Sequence, residues 1–145
     1  MADEAVPFRI LPALNDRNRA FWTGGEHGEL RVLRCRQCGA WIHPPTPICP
    51  RDRSKDLAPE ATSGRARVAS FTINHQPWMP GPELPYVVAI VELDDDPRVR
   101  LTTNIVGCRP EEVRIGMAVR VVFEHHADAA GDVWLPLFEP DPERS

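Results

Sequence analysis

The chain has 145 residues and a formal net charge of −4, a length that suits one domain or a small domain with an appended module. Its 42% hydrophobic and 26% charged residues are typical of a globular protein, and no apolar run reaches the roughly 18 residues of a membrane span. The acidic balance argues against a general nucleic-acid binder, which would need a basic surface. The N-terminal stretch lacks the apolar core of a signal peptide, so we expect a cytoplasmic location.

Residues 1–29 are predicted to form an extended arm followed by a short helix. Asn15 or Asp16 can cap this helix, and the stretch RNRAFW can supply its first turns before two glycines end it. Phe21 and Trp22 would then form its apolar face. On a short helix, such aromatic residues more often serve packing or an interface than contact with a ligand.

Residues 30–62 carry three clustered cysteines at the spacing of a zinc ribbon. The stretch GELRVLRC alternates like a strand and ends at Cys35, and Cys38 completes a Cys-x2-Cys knuckle. The proline-rich loop HPPTPICP then leads to Cys49, after which a second knuckle would need a cysteine where Asp52 stands. This clustering fits metal binding in a reducing compartment better than a disulfide framework.

The spacing leaves three interpretations of the cysteine site open. In the first, Asp52 joins the three cysteines as the fourth zinc ligand, since a carboxylate oxygen can bind zinc at about 2.0–2.2 Å. In the second, His43 is the fourth ligand, although its place in the loop between the knuckles is a poorer match. In the third, the site is empty and packing around Trp41 and the prolines holds the ribbon. We favour a structural Zn²⁺ in the first arrangement and expect no catalytic zinc.

Residues 63–142 are predicted to form five strands, in the stretches 65–78, 86–95, 98–107, 117–126 and 133–140. In the first stretch, the residues at even numbers alternate with those at odd numbers: Val68, Ser70, Thr72 and Asn74 against Ala69, Phe71, Ile73 and His75. A turn-like helical segment, RPEEVRIG, separates the third strand from the fourth. This pattern suits a small closed barrel of the OB type. The predicted fold is therefore mainly β, with a short N-terminal helix, a rubredoxin-like zinc ribbon and a five-stranded OB-fold barrel.

Three further features are given non-catalytic interpretations. Cys108 is expected to be a small buried residue, since no base is recognisable beside it. The pair His125 and His126 is more typical of a solvated strand end than of a catalytic site, and DDDP at 94–97 is more typical of a hairpin turn. We therefore expect no catalytic residue in this chain.

Four segments together resemble one known family: FW…GELRVLRC, CRQCG, PPTPICP and EEVRIGMAVRVVFE. The chain resembles the acyl-CoA-associated zinc-ribbon/OB-fold family catalogued as domain of unknown function thirty-five, over roughly residues 15–140. Asp52 departs from the family pattern, in which many members carry the last cysteine of the ribbon.

The resemblance implies a non-catalytic accessory role in acyl-CoA (lipid) metabolism. Members of this family are partners of thiolases, of sterol-carrier-type thiolase-like aldolases and of hydratases, and some are fused to a hydratase-like domain. One such pair performs a retro-aldol cleavage in steroid side-chain breakdown. From the resemblance we expect a hetero-oligomer in which this chain stabilises a lyase or thiolase-type acyltransferase and helps to hold the acyl-CoA.

Two sets of residues are candidate contacts for that role. Arginine binds phosphate groups bidentately, and the arginines around the ribbon that can contact the CoA phosphates are Arg34, Arg36, Arg51 and Arg53. Aromatic and methionine side chains favour protein interfaces, and the candidates for contact with the partner are Phe21, Trp22, Trp78 and Met79.

Two other functions stay open at this point. OB barrels and zinc ribbons also bind single-stranded nucleic acid, for which this barrel offers Phe71, Tyr86 and Phe123 within an acidic chain. An independent enzyme, such as a thioester hydrolase, would need a nucleophile beside a base, and no such pair is recognisable in the sequence. We expect neither nucleic acid nor a membrane as a partner.

Overall fold

The structure is a computed structural model that describes residues 9–80, 82–128 and 130–144. A short helical segment leads into a three-stranded sheet and then into a closed five-stranded barrel. The mainly β fold predicted from the sequence is confirmed. Part of the predicted N-terminal arm, residues 1–8, lies outside the described residues. Within the described ranges, no helix has both the length and the apolar character needed to cross a bilayer.

The chain enters the fold through an asparagine-centred turn and a short helix. The Asn15 Oδ1 accepts hydrogen bonds from the backbone N–H groups of Arg17 and Asn18, both at 2.9 Å. Helix α1 begins after this turn and spans Arg19–Thr23, and a 3₁₀ turn follows at Gly24–His27. Asn15 therefore caps the turn that precedes the helix, and the helix starts two residues later than the RNRAFW pattern suggested.

Three short strands form the ribbon sheet in the spatial order β2-β1-β3: β1 Arg31–Cys35, β2 Trp41–Ile42 and β3 Leu57–Ala61. Both β2 and β3 run antiparallel to β1. Leu30 and Val32 belong to the same buried cluster as the barrel residues. The ribbon and the barrel therefore share one hydrophobic core, which favours a fixed arrangement of the two.

The five strands of the barrel are β4 Arg65–Asn74, β5 Tyr86–Leu93, β6 Arg100–Ile105, β7 Ala118–His126 and β8 Val133–Pro140. Antiparallel pairing joins β4 to β5, β5 to β6 and β7 to β8. A parallel contact between β6 and β8, together with the antiparallel pair β4–β7, closes the barrel. A 3₁₀ turn at Pro110–Glu112 lies between β6 and β7, where the helical segment was predicted. The predicted five-stranded OB barrel is confirmed.

Strand β4 departs from the simple alternation that its sequence suggested. Ala66 and Val68 are buried, but the register with β5 shifts between Val68 and Ser70, which marks a β-bulge. Beyond the bulge, the positions that pack against the core are Phe71 and Ile73. The bulge thus moves the inward face from even to odd residue numbers, and it supplies the bend that a small closed barrel requires.

The 3₁₀ turn after α1 packs closely against β7 and β8. A Cβ atom at Gly25 would lie only 2.5 Å from Trp134 Cβ and 2.6 Å from Phe123 Cδ1. Only glycine permits this approach of the backbone to the two aromatic residues. The contact places α1 beside both the ribbon and the barrel, so a cleft forms where the three meet.

Candidate functional site

Three thiols and a carboxylate converge at one end of the ribbon. One ligand atom each from Cys35, Cys38, Cys49 and Asp52 lies within 4.8 Å of all the others. The Cys38 and Cys49 sulfurs are 3.7 Å apart, and the Cys35 sulfur is 3.6 Å from both oxygens of Asp52. A tetrahedral zinc ion requires sulfur–sulfur and sulfur–oxygen separations of about 3.8 Å and about 3.6 Å. The four predicted ligands are therefore brought together, and these two separations match those of a zinc site.

Two knuckles with the same backbone hydrogen bonds carry these ligands. In the first, the Gly39 N–H donates to the Cys35 carbonyl, and in the second the Arg53 N–H donates to the Cys49 carbonyl, both at 2.9 Å. Gly39 has a φ of 80° and Arg53 a φ of 63°, so both take the left-handed conformation. Asp52 follows Cys49 as Cys38 follows Cys35, and it therefore occupies the position of the missing cysteine.

Backbone amides stabilise negative charge in both knuckles. The Cys38 N–H points to the Cys35 sulfur and the Arg51 N–H points to the Cys49 sulfur, each at 3.4 Å. The Cys38 amide lowers the pKa of Cys35 in spite of the opposing effect of burial. The Ser54 N–H, which donates to the Asp52 carboxylate at 2.9 Å, lowers the pKa of Asp52. These contacts favour the anionic forms that metal ligands adopt.

The crowding of the cluster acts on Cys38 in the opposite direction. The Ala40 N–H lowers the pKa of Cys38, but burial, the two neighbouring thiols and the Asp52 charge outweigh it and raise the pKa to about 11. Four groups that would all be negative repel one another unless a cation lies between them. The donor set is thus suited to a divalent cation with a preference for thiolates.

His43, the alternative fourth ligand, does not belong to the four-residue cluster. Its ring packs against the ring of Phe21 instead, with 4.7 Å between the centroids. Burial lowers the pKa of His43, so the imidazole is neutral at neutral pH. The structure therefore separates His43 from the cysteines and places it between α1 and the ribbon.

Arg34 is engaged within the ribbon itself. Its Nε donates to the Gly39 carbonyl at 3.0 Å, and its Nη1 lies 3.2 Å from the Glu60 carboxylate. The guanidinium also lies 4.5 Å from the centroid of the Trp41 ring, a cation–π contact. These contacts occupy donors that a phosphate ligand would need.

The other three ribbon arginines are exposed. Arg36 lies 3.8 Å from the carboxylate of Asp56, a long and solvated pair. Among the described residues, no carboxylate forms an ion pair with Arg51 or Arg53, which flank the Asp52 knuckle. Of the four arginines singled out from the sequence, these two have the most available guanidinium groups.

The aromatic residues proposed for partner contact differ in their environments. Phe21 and Trp22 are half-buried and meet edge-to-face at 4.7 Å. Trp78 is 76% exposed and Met79 is 37% exposed, both in the loop between β4 and β5. The Trp78 Nε1 donates to the Asn74 side chain at 2.9 Å, so the indole is held while its ring faces solvent.

His125, His126 and Cys108, for which the sequence indicated non-catalytic roles, lie outside the cysteine cluster. His125 is paired with Asp132 at 3.0 Å and stacks on Trp134, whereas His126 bonds to Glu124 at 2.7 Å. Burial raises the pKa of the Cys108 thiol, which favours its uncharged and unreactive form.

A cleft of about 670 Å³ lies where α1, the ribbon loop and the barrel strands β6 and β8 meet. Sequence analysis did not identify its polar residues Arg9, Arg17 and Arg100 as site residues. The alternation in RVRLTTNIVG places Arg100, Thr102 and Asn104 on one face of β6, but only the docking of α1 and the ribbon turns that face into a cleft wall.

A rubredoxin-like ribbon with a metal-ligand cluster, joined through one core to a closed OB barrel, defines a class of two-module β proteins. Residues 22–58 match the family model "ChsH2, rubredoxin-like zinc ribbon domain", and residues 60–124 match "ChsH2, C-terminal OB-fold domain". Together with the relatives described next, these matches show that the chain belongs to the DUF35 family of zinc-ribbon/OB-fold proteins, of which ChsH2 is a member.

Two relatives illustrate the range of the family. The chain is 35% identical over 92% of its length to a 3-oxo-4,17-pregnadiene-20-carboxyl-CoA hydratase alpha subunit of Mycobacterium tuberculosis, of which it covers 42%. It is 37% identical over 69% of its length to a DUF35 domain-containing scaffold protein of Methanocaldococcus jannaschii, of which it covers 71%. The chain thus spans about two fifths of the hydratase subunit and most of the scaffold protein.

A solved structure has the same fold along nearly the whole chain. It is described as the Ltp2-ChsH2(DUF35) aldolase, and the match covers 90% of this chain and 98% of that chain, with 37% identity and a TM-score of 0.77. The resemblance inferred from the sequence motifs is confirmed. The aldolase activity in that description is a property of the solved complex.

Proposed function

We propose that this chain is a non-catalytic accessory subunit of a thiolase-superfamily acyl-CoA complex, in which it stabilises the catalytic partner. The observation that carries the proposal is the match to the ChsH2(DUF35) chain of an aldolase, which extends over 98% of that chain at 37% identity. A match of this extent includes both the ribbon and the barrel.

The reaction we propose for the complex is a retro-aldol cleavage of a CoA thioester that carries a steroid or similar side chain. In such a step the bond between the α and β carbons breaks, the β-hydroxyl group loses its proton and becomes a carbonyl, and the α carbon gains a proton. The steroid class is supported by the name of the pregnadiene-carboxyl-CoA hydratase subunit among the relatives. The partner would supply the catalytic groups.

A hydratase is the second candidate partner. It is favoured by two relatives described as enoyl-CoA or pregnadiene-carboxyl-CoA hydratase alpha subunits, which match 91% and 92% of this chain. The chain covers only 40% and 42% of those subunits, so their catalytic function need not reside in the part that it matches. The aldolase match covers nearly the whole of its counterpart, and we therefore rank the thiolase-like partner first.

We further propose that Zn²⁺, held by Cys35, Cys38, Cys49 and Asp52, cross-links the two knuckles of the ribbon. The support is the agreement of the 3.7 Å and 3.6 Å ligand separations with tetrahedral zinc. When bound, the ion supplies structural cross-linking and no chemistry of the acyl-CoA reaction.

The loop that carries Trp78 is our candidate contact with the partner. Its apolar side chains Trp78, Met79 and Leu84 are all exposed, at 76%, 37% and 37%. Four prolines and the bond from Trp78 to Asn74 restrict the loop, so that little entropy is lost when it is buried. Phe21 and Trp22 contribute at most part of their surface, because each is already half-buried.

Contact with CoA phosphates remains a proposal for the ribbon arginines. Arg51 and Arg53 are the stronger pair, because Arg34 and Arg36 already lie beside carboxylates. The CoA thioester would then be shared between this chain and the partner.

Co-expression with a thiolase-like protein from the same genome tests the function. We expect the purified complex to cleave a β-hydroxyacyl-CoA into a carbonyl compound and a shorter acyl-CoA, and the isolated chain to cleave none. Turnover of an acyl-CoA by the isolated chain would contradict the non-catalytic role. Salt-dependent binding of oligonucleotides, with no complex formed, would favour the nucleic-acid alternative instead.

A further inference from the structure

The cleft between α1, the ribbon and the barrel has the dimensions of a small-molecule site. Its volume of about 670 Å³ lies within the range of roughly 300–1,000 Å³ that is typical of ligand pockets. Pockets form preferentially where structural units meet, and here three units contribute walls. The cleft lies apart from the cysteine cluster, whose ligands are absent from its lining.

The lining combines an apolar floor with a cationic rim. Leu135 and Leu137 from β8 form apolar surface, and Trp22 of α1 adds an aromatic wall. Arginines contribute charge at the rim: Arg9, Arg17 and Arg100. Within the described part of the chain, no aspartate or glutamate lines the cleft.

The charges of two rim arginines are already balanced by carboxylates outside the cleft. Arg9 bonds through Nε to Glu124 at 2.7 Å, and Arg100 lies 3.0 Å from Glu92. The guanidinium of Arg17 forms no hydrogen bond or ion pair with the residues that the structure describes. Among the described residues, the rim therefore has one uncompensated positive charge, which matches one anionic group.

The walls are held in place before any ligand binds. The ring of Phe21 packs between Trp22 and His43, with 4.7 Å between centroids on each side. Burial lowers the pKa of His43, so this residue adds no charge to the cleft at neutral pH. Pro44 and Pro45 complete the ribbon wall and have no N–H groups to satisfy. A preformed apolar wall beside a positive charge suits an amphipathic anion, because little ordering is needed when the ligand binds.

We propose that this cleft binds a small organic anion, in which a carboxylate or phosphate group is attached to a flat, apolar ring system. Arg17 contacts the anionic group, and the ring system lies against Trp22 and the leucines of β8. This binding goes beyond the accessory role, because it requires no partner and no CoA. It also uses different arginines from those around the ribbon.

The test uses the four tryptophans of the chain as reporters in NMR spectra of the ¹⁵N-labelled protein. The probes are 2-naphthoate, 2-naphthyl phosphate and the neutral 2-naphthamide, which share one ring system and differ in the polar group. We expect an anionic probe to shift the Trp22 indole signal with saturation, while the signal of Trp78, which does not line the cleft, stays in place. A preference for one anionic probe identifies the natural group as carboxylate or phosphate.

Arg17→Gln and Arg19→Gln form a matched pair of variants. Both arginines are exposed, but only Arg17 lines the cleft. We expect Arg17→Gln to weaken binding of the anionic probe about tenfold, the loss expected for one charged hydrogen bond, and Arg19→Gln to leave it unchanged.

Three results would each overturn the proposal. They are the absence of a Trp22 shift with all probes up to about 5 mM, equal binding of neutral and anionic probes, and equal effects of the two arginine variants. None of these results depends on whether a thiolase-like partner is found, so failure of this proposal is distinct from failure of the accessory role.

Discussion

The carboxylate oxygens of Asp52 lie 3.6 Å from the sulfur of Cys35, the separation of an oxygen and a thiolate that share one tetrahedral zinc ion. The aspartate thus stands where a fourth cysteine would bind, on a knuckle whose backbone hydrogen bonds repeat those of the first. Asp52 is exposed whereas Cys35 and Cys49 are buried, so the carboxylate lies on the solvent side of the cluster. The second knuckle therefore keeps the backbone structure of the first although it carries an aspartate in place of a cysteine.

Asp52→Cys is expected to tighten zinc binding about tenfold, and Asp52→Ala to weaken it by a similar factor, because thiolate is the stronger zinc ligand. Competition with a chromophoric chelator measures both affinities. Replacement of zinc by cobalt gives an independent count of thiolates, since the sulfur-to-metal absorption of Asp52→Cys should exceed that of the wild type by about one third. Asp56→Ala, a change on the same loop outside the cluster, should alter neither; equal affinities in all four proteins would exclude Asp52 as a ligand.

Gly25→Ala should destabilise the fold by about 2 kcal/mol, the usual cost of overpacking. The added methyl group would lie 2.5 Å from Trp134 Cβ, and the backbone must shift to relieve the clash. Urea unfolding followed by far-UV circular dichroism measures the free energy of unfolding. Glu26→Ala changes the next, exposed residue of the same turn and should have little effect. A Gly25→Ala variant as stable as the wild type would show that the turn is not packed against the barrel in this way.

The C-terminal segment contributes a stability that depends on pH. The Glu143 N–H and then the Arg144 side chain lower the pKa of Asp141, and Arg144 also donates to the Val119 carbonyl at 3.2 Å. A carboxyl group whose pKa is lower in the folded state stabilises the fold above its unfolded pKa, near 3.9, and this contribution is lost as the pH falls through the folded pKa.

Asp141→Asn should therefore lower the melting temperature at pH 7, and the difference from the wild type should shrink as the pH falls below about 4. Differential scanning fluorimetry over a pH series measures the difference. Glu143→Gln changes an exposed carboxylate on the same turn and keeps the N–H that donates to Asp141, so its melting temperature should stay close to that of the wild type. A difference that is constant from pH 7 to pH 2 would mean that the charge of Asp141 contributes nothing.

Trp78→Ala should weaken binding of the catalytic partner by tenfold or more, as truncation of a tryptophan at an interface hot spot commonly costs about 2 kcal/mol. The free energy of unfolding should change by less than about 0.5 kcal/mol, because the side chain is 76% exposed. Biolayer interferometry with the purified partner measures the affinity. Ile115→Ala provides the control, since Ile115 is a similarly exposed apolar residue on another loop, at 71%. A larger loss with Ile115→Ala would place the interface on the other loop.

Local hydrogen bonding explains why the ribbon was predictable from the sequence. Each knuckle is closed by a bond between residues four apart, Cys35 with Gly39 and Cys49 with Arg53, so cysteine spacing alone indicates the structure. The barrel strands were predictable for a different reason: the alternation of side chains and the turn residues that mark each strand can be recognised within a short stretch of sequence. The bulge after Val68 was not, because an inserted residue changes which face is buried without changing the composition of the strand.

The cleft depends on contacts between distant parts of the chain. The cleft forms because Gly25 allows the turn after α1 to pack against β7 and β8. This packing brings together residues from four parts of the chain: Arg17, His43, Arg100 and Leu135. No local pattern marks any of these residues as part of a site. The position of His43 also depends on a distant contact. Its ring packs against Phe21 of α1, which keeps it away from the cysteines, although its place between them in the sequence had made it a candidate ligand.

The most direct test of the accessory role is affinity purification of the tagged chain from its native host, with quantitative mass spectrometry of the proteins that remain bound. We predict that a thiolase-like protein is recovered in near-equal molar amount, and that it is lost from the Trp78→Ala variant but retained by Ile115→Ala. Recovery of the chain without any thiolase-superfamily protein or hydratase, at expression levels at which complexes survive, would contradict the account.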